Sequence, residues 1–364
     1  MTNRERILAL LRGEVPDQVP WFGDLDYWYN ALVYKQQLPE KYAGDGYFQL
    51  NRDLGVGFYL QGYEPFTAVY EGVEVLVKEE KEERITEIHT PFGSLTEVQR
   101  FLPTSCSWAY TKHLVETADD LPAFRYWLEH TRYEPNYAEA ERRAKIIGDN
   151  GVTLCYLPRS PFMLMVALYS GIQNLVYLDL DAPEEFAATM ELLEAKADEA
   201  AQIALESPAE CLMIPENLSS EVVGLRYYAK YMQPYERKWV KLIQDAGKFS
   251  FIHMDGTLRG LIRPVAETGF RVLEALTPAP VGDLEIEELA AAAGPGPILW
   301  GGLPGVYFTD KVTDGEFDAF VQRVLGVMRQ EPRFVLGVAD QVPPDGIWER
   351  VARVRELVEL YGNY

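Results

Sequence analysis

His253 and Asp255 stand two residues apart at the end of a short apolar run, FSFI, in a chain that has four histidines in all. Alternation along a strand puts residues i and i+2 on one face. An imidazole and a carboxylate on one face can share a metal or act as acid and base. Glu216 follows an earlier apolar run and Asp340 follows the last one, so both are candidates to join them. One nitrogen and two or three carboxylate oxygens suit zinc, with manganese or iron(II) as other divalent choices. The purely structural reading makes His253 a hydrogen-bonded core residue and Asp255 the cap of a helix opening at Gly256-Thr257-Leu258.

Other residue types extend this picture. Glu274 lies inside the run FRVLEAL and, like Asp340, is a candidate proton donor to a leaving group. Gly301-Gly302, after PILW, either lets a cofactor approach bare backbone or forms a tight β-to-α turn. Arg159 can pair with a substrate carboxylate or with one of the chain's many acidic side chains. Asp24 follows the first apolar run and Asn217 follows Glu216. The segment holding Trp21, Phe22, Tyr27, Trp28 and Tyr29 is dense in rings. It can line an apolar pocket for a ring-bearing substrate or serve as core and lid packing. The substrate-binding candidates are therefore Trp21, Asp24, Tyr27, Arg159 and Asn217.

These side chains make a site only if the elements carrying them converge. From residue 151 onward, apolar runs at 152–157, 210–214, 249–252, 270–276, 297–300 and 333–338 alternate with helical stretches at 184–206, 225–246, 258–268, 284–293, 314–330 and 346–361. Such a rhythm implies parallel strands with crossover helices. Near-continuous apolar strands fit a sheet covered on both faces. With strands near 18–22 and 54–60 the count is eight, which favours a single α/β domain over 1–364, a (β/α)₈ TIM barrel whose chemistry lies at the C-terminal strand ends. Neither GxGxxG nor GxxxxGK[ST] follows an early strand. Thr2 and Glu5 form a capping-box pattern for an N-terminal helical extension. The alternating pattern of 66–101 reads as a small antiparallel insertion with Gly93 in a turn, its Lys/Glu run 78–84 as an exposed strand edge. Residues 115–150 carry helical spacing.

Composition narrows the function classes. Asp plus Glu number 56 against 34 Lys plus Arg, a formal charge of −22. Nucleic acid and anionic membranes are poor partners for such a surface. No apolar run is long enough for a transmembrane helix, and MTNRERILALLRGEVPDQ is not a signal peptide. Cys106, Cys155 and Cys211 form no CxxC pair and read as buried, reduced thiols. These features together lead to the expectation of a cytoplasmic protein.

The chain also resembles the uroporphyrinogen decarboxylase superfamily over nearly its whole length. The resemblance is carried by TNRERILALLRGEVPDQVP, TPFGSLTEV, PENLSSEVVGLRYYAKYMQPYERKWVKLIQDAG, FIHMDGTLRGLIRPVAETGFRVLEALTP, ILWGGLPG and VLGVADQVPPDGIWERVARVRELVELYG. It implies a single (β/α)₈ barrel. True decarboxylases of the superfamily use no metal and bind a polycarboxylate with arginines in a WFMRQAGRY-like motif. Here that segment is WFGDLDYWYN, where Asp24 and Asp26 would repel such a substrate, and Asp340-Gln341 stand near the position of the decarboxylases' last-strand His.

A second branch, the cobalamin-linked methyltransferases, is the closer resemblance. Its coenzyme M methylating members hold zinc with a His-x-Cys pair and a later Cys. This sequence carries His253, with Asp255 at the first Cys position and Asp340 near the second. Carboxylates leave a metal a harder Lewis acid, which suits polarising the oxygen of a methyl ether. The resemblance thus implies zinc-assisted methyl transfer from a small methylated, methoxy-aromatic substrate to a corrinoid on a separate protein. No DxHxxG corrinoid signature is present. A metal-free lyase using His253 and Asp255 and a non-catalytic small-molecule-binding member are the alternatives. The sequence leaves the oligomeric state open.

Overall fold

The computed structural model describes residues 1–44, 46–59 and 63–364. The chain opens with a helix at Asn3–Arg12, where Thr2 and Glu5 form the expected capping box. The insertion is larger than its alternating pattern indicates. Strands β1 (Phe66–Tyr70), β2 (Glu74–Glu80), β3 (Glu83–Thr90), β4 (Gly93–Leu102), β5 (Ser107–Lys112) and β6 (Thr131–Pro135) occupy it. β2–β5 form a meander in sequence order, and β1 pairs antiparallel with β6. The antiparallel region therefore runs well past residue 101, and β6 interrupts the stretch whose spacing reads as helix. β6 finds its ladder partner in β1, from which it is distant in sequence, so local periodicity does not reveal it.

The second half follows its sequence rhythm closely. β7 (Leu154–Tyr156), β8 (Cys211–Ile214), β9 (Phe249–His253), β10 (Val272–Leu276), β11 (Ile298–Pro304) and β12 (Phe334–Ala339) form one parallel sheet in sequential order. Between them lie helices that include Pro183–Glu206, Gln233–Asp245, Ile286–Ala293 and Asp314–Met328, with Trp348–Tyr361 last. The 258–268 stretch yields only a short helix, Ile262–Ala266. The 225–246 stretch is interrupted by a π-helical turn at Tyr228–Met232.

Among the described residues the ladder has six strands, where eight were expected. The two N-terminal strand segments are present as isolated bridges, Trp21 to Leu336 and Phe58 to Gly151 in parallel, with Gln18 pairing antiparallel to Asn363. Phe22 N–H donates to the Leu336 carbonyl, Gly57 N–H to that of Trp21, and Val152 N–H to that of Phe58. These short segments thus contact both edges of the sheet and each other. Leu60, the end of the second segment, lies outside the described residues.

Strand alternation divides the sheet's apolar residues between two faces. Leu154, Met213, Phe251, Val272, Trp300 and Val335 pack in one cluster with Phe22, Tyr59 and the Ile7, Leu10 and Leu11 side chains of the first helix. Leu212, Ile252, Leu273, Leu299 and Leu336 belong to the other cluster, which the flanking helices cover. Cys155 and Cys211 are buried thiols, whereas Cys106 sits half-exposed at a turn, contrary to its expected burial. Among the described residues no helix is long and apolar enough to cross a membrane.

Candidate active site

Register brings the central pair together. In the parallel ladder of β9 and β10, His253 is opposite Glu274. Each is two residues beyond an inner-face residue, Phe251 and Val272, so both side chains share that face. His253 Nδ1 donates to Glu274 Oε2 at 2.6 Å. The other carboxylate oxygen, Oε1, accepts from the Tyr59 hydroxyl at 2.9 Å. Glu274 is completely buried and His253 nearly so. His253 Nε2, on the far side of the ring, lies 3.7 Å from Asp340 Oδ1 at the end of β12. Tyr59 is itself held among rings, with its centroid 4.5 Å from that of Trp300.

Two opposing effects set the charge of the imidazole. Burial disfavours the cation, but the Glu274 charge and hydrogen bond, with the charges of Asp340 and Asp255, outweigh it and raise the His253 pKa to about 9. Asp340 is pushed up to about 6, by burial first; His253 lowers it while Asp255 and Glu274 raise it. Asp24 is held well above the usual carboxylate range by burial, against a hydrogen bond from Asp26 N–H and with further lifting by Asp26, Asp340 and Glu274. The mouth of the sheet therefore holds an imidazole that favours its protonated form, beside an Asp340 and an Asp24 that take up protons more readily than free carboxylates.

Backbone geometry marks the same end. Asn217, Ala275 and Asp340 are non-glycine residues with φ of 52°, 64° and 68°, a left-handed conformation that costs energy and concentrates at functional sites. Each lies at or just beyond the C-terminal part of its strand. At Ala275 the conformation accompanies a register shift between β10 and β11, and Met254 N–H bonds the Glu274 carbonyl.

The other sequence-derived candidates separate. Asp255 is part-exposed, and its backbone N–H bonds the Leu218 carbonyl. It caps no helix, since Asp283 accepts from the Leu258 and Arg259 N–H groups instead. Asp24 is buried, with Oδ1 on Asp26 N–H and Oδ2 without a partner among the described residues. Tyr27 is exposed, and its N–H donates to Gln341 Oε1. Trp21 packs in the helix-facing cluster, so its neighbour Phe22 is the ring on the inner face. Gly301 and Gly302 are inside β11, not in a turn. A Cβ on Gly301 would lie 2.4 Å from the Leu276 carbonyl oxygen, so close strand packing requires that glycine.

Glu216 belongs to a different grouping. Its Oε1 accepts from Ser160 N–H at 2.9 Å, and its buried Oε2 has no partner among the described residues. Burial raises it to about 7, against the lowering influence of Ser160 and Arg159. Arg159 makes no ion pair among the described residues, although its charge acts on Glu216 and Glu64. The expected set of His253, Glu216, Asp255 and Asp340 is therefore not assembled. No group of three His, Cys, Asp or Glu side chains among the described residues has a metal-holding arrangement. With Nδ1 on Glu274, His253 keeps Nε2 as its one ring nitrogen for a ligand, and the described residues gather no full ligand set around it.

Tyr59 is the participant that the site-residue reading misses. Alternation in VGFYL would have placed it on one face with Gly57, but its target, Glu274, is 215 residues away.

Comparison with known proteins gives three results. The uroporphyrinogen decarboxylase (URO-D) family model matches residues 111–361. A solved methyltransferase from Methanosarcina mazei shares the fold, with TM-score 0.63 and 14% identity over 99% of each chain. An octameric ribulose-1,5-bisphosphate carboxylase/oxygenase from Pyrococcus horikoshii aligns at TM-score 0.30 and 11% identity, over 65% of this chain and 48% of its own. The search of curated proteins returned no match. Because the family model spans well over half of the sequence, including every strand from β6 to β12 and with them His253, Glu274 and Asp340, the chain belongs to the uroporphyrinogen decarboxylase family.

Proposed function

We propose that this protein is a methyltransferase-like enzyme that removes a methyl group from a small methylated substrate, a methoxy-aromatic being the leading class. The reaction would take place at the C-terminal strand ends of a (β/α)₈ barrel completed by the 19–22 and 56–59 segments. A reduced corrinoid on a separate protein supplies the nucleophile. In this reaction the bond from methyl carbon to ether oxygen breaks and its electron pair stays on oxygen. That oxygen then needs a proton.

The observation supporting this reading is the buried His253, held by Glu274 at 2.6 Å and turned toward Asp340. Asp340 retains its proton up to pH about 6 and His253 up to about 9. Either can protonate the leaving oxygen, and a positioned acid contributes about 10²–10⁴-fold. Asp24, whose buried Oδ2 has no partner among the described residues, can donate a hydrogen bond to the same substrate. The fold shared with the Methanosarcina mazei methyltransferase accords with this assignment.

The test is turnover of a panel of methoxy-aromatics with free cob(I)alamin as methyl acceptor, following phenol release. Phenol that forms only with the acceptor, and is lost in Asp340→Asn or His253→Gln, supports the reading. Carbon dioxide release from a carboxylated substrate without corrinoid would replace it with the lyase reading. Tight binding of substrates without conversion would leave a binding protein.

A further inference from the structure

A cavity of about 550 Å³ lies at the opposite end of the strands from His253. It is bordered by Phe249 and Ser250 at the start of β9, by Phe270 and Arg271 just before β10, and by Arg12 and Lys248. β9 spans five residues, so this cavity and the candidate active site are separated by about 13 Å of strand.

Its charge is the reverse of the chain's. The protein carries 56 acidic against 34 basic residues, yet three cations and no Asp or Glu line this cavity. Lys248 and Arg271 are half-buried. Burial pulls both pKa values down, and Arg333 lowers Arg271 further. Neither has a carboxylate within ion-pair distance among the described residues, and the same holds for Arg12. Carbonyl groups take only part of their donor capacity. Arg271 uses Nε on Leu11 and Nη2 on Leu10, capping the first helix. Lys248 gives one N–H to the Ser207 carbonyl. A guanidinium has five N–H groups and an ammonium three, so most of their donors are unspent. Phe249 and Phe270 add apolar walls.

We propose that this cavity binds an organic oxyanion, a phosphate or carboxylate on an apolar body, as a site separate from the active site. The charged group is held by the Arg12, Lys248 and Arg271 donors through charge-assisted hydrogen bonds. The apolar part lies against the phenylalanine rings. Cations that only complement helix C-termini need no such ligand, and that is the alternative the experiment separates.

The probes are phenyl phosphate, benzoate and inorganic phosphate, titrated calorimetrically into the full-length protein at constant ionic strength. Phenyl phosphate or benzoate is expected to bind, and more tightly than inorganic phosphate if the rings contribute. Arg271→Gln is unsuitable alone because it uncaps a helix. Arg12→Glu leaves every described hydrogen bond in place, and thermal melting checks its fold. The expected effect of Arg12→Glu, and of Lys248→Gln, is about tenfold weaker binding or more. Absence of binding by all probes at millimolar concentration overturns the proposal. So does binding that neither substitution weakens, which would place the anion elsewhere.

Discussion

Two sets of buried carboxyl groups near the C-terminal strand ends differ in one partner. Glu274 is fully buried, but both of its oxygens are engaged, one by the Tyr59 hydroxyl and one by the His253 ring. Glu216 and Glu236 are equally buried, and each has one oxygen with no partner among the described residues. Glu236 takes a hydrogen bond from Tyr228 at 2.7 Å. Burial, reinforced by the charge of Glu216, drives Glu236 far above the usual carboxylate range. Desolvation alone therefore leaves buried carboxyl groups neutral, whereas an imidazole in register across a parallel ladder makes a charge pair. The first is tied to a partner that can carry its proton, and the second holds protons more tightly than free carboxylates do.

Breaking the pair should have the largest effect. His253→Ala is expected to lower turnover by about 10²–10⁴-fold. It also takes from the buried Glu274 its imidazole partner, a cost of about 3–5 kcal/mol by analogy with broken buried pairs. Urea unfolding measured beside activity separates the two losses, and an unchanged rate would remove His253 from the reaction. The sequence alone does not foresee the stability loss, because it does not show that Glu274 has no access to water.

The next contrast is in pH dependence. The Glu216 pKa is raised from 4.5 to about 7 in the folded state, so the folded protein binds more protons than the unfolded chain in that window. Stability from this group is full below about pH 4.5 and falls as pH rises through 7. The raised His253 pKa gives a second decline, from full contribution below 6.5 to loss through about 9. Glu216→Gln should shrink the lower decline, leaving the part that Asp340 and Asp24 contribute, and should leave the upper one, as read from denaturation midpoints between pH 4 and 10.

Activity can then identify the proton donor. If Asp340 donates, the rate falls above about pH 6, and Asp340→Asn loses turnover at every pH. If the imidazolium donates, the rate holds to about pH 9. The smallest effect is expected from Tyr59→Phe, which removes one hydrogen bond to Glu274. A change of a few-fold in rate and about 0.5–1.5 kcal/mol in stability is expected, with the His253 pKa, followed by NMR titration of the imidazole, displaced from its wild-type value. A pKa that does not move would show that Tyr59 only packs.

Much of the fold was legible in the residues. Apolar runs with little interruption gave the six parallel strands to within about two residues at most ends, because a strand covered on both faces must be apolar throughout. The insertion was legible as alternation, yet its extent was not, since β6 depends on a partner in β1. The N-terminal strands were placed correctly along the chain but form bridges, not ladders.

The sequence by itself determined which residues stand at strand ends, and hence that His253, Asp255, Glu274 and Asp340 were candidates for chemistry. Local pattern is enough for that, because side-chain direction in a strand follows from position. Only the tertiary structure decided partnership. It joined His253 to Glu274 through register, brought Tyr59 to the same carboxylate, and placed Glu216 on Ser160, away from the imidazole. Those outcomes depend on how strands far apart in the chain align and on which oxygens lose water, and neither quantity is written in any local stretch of sequence.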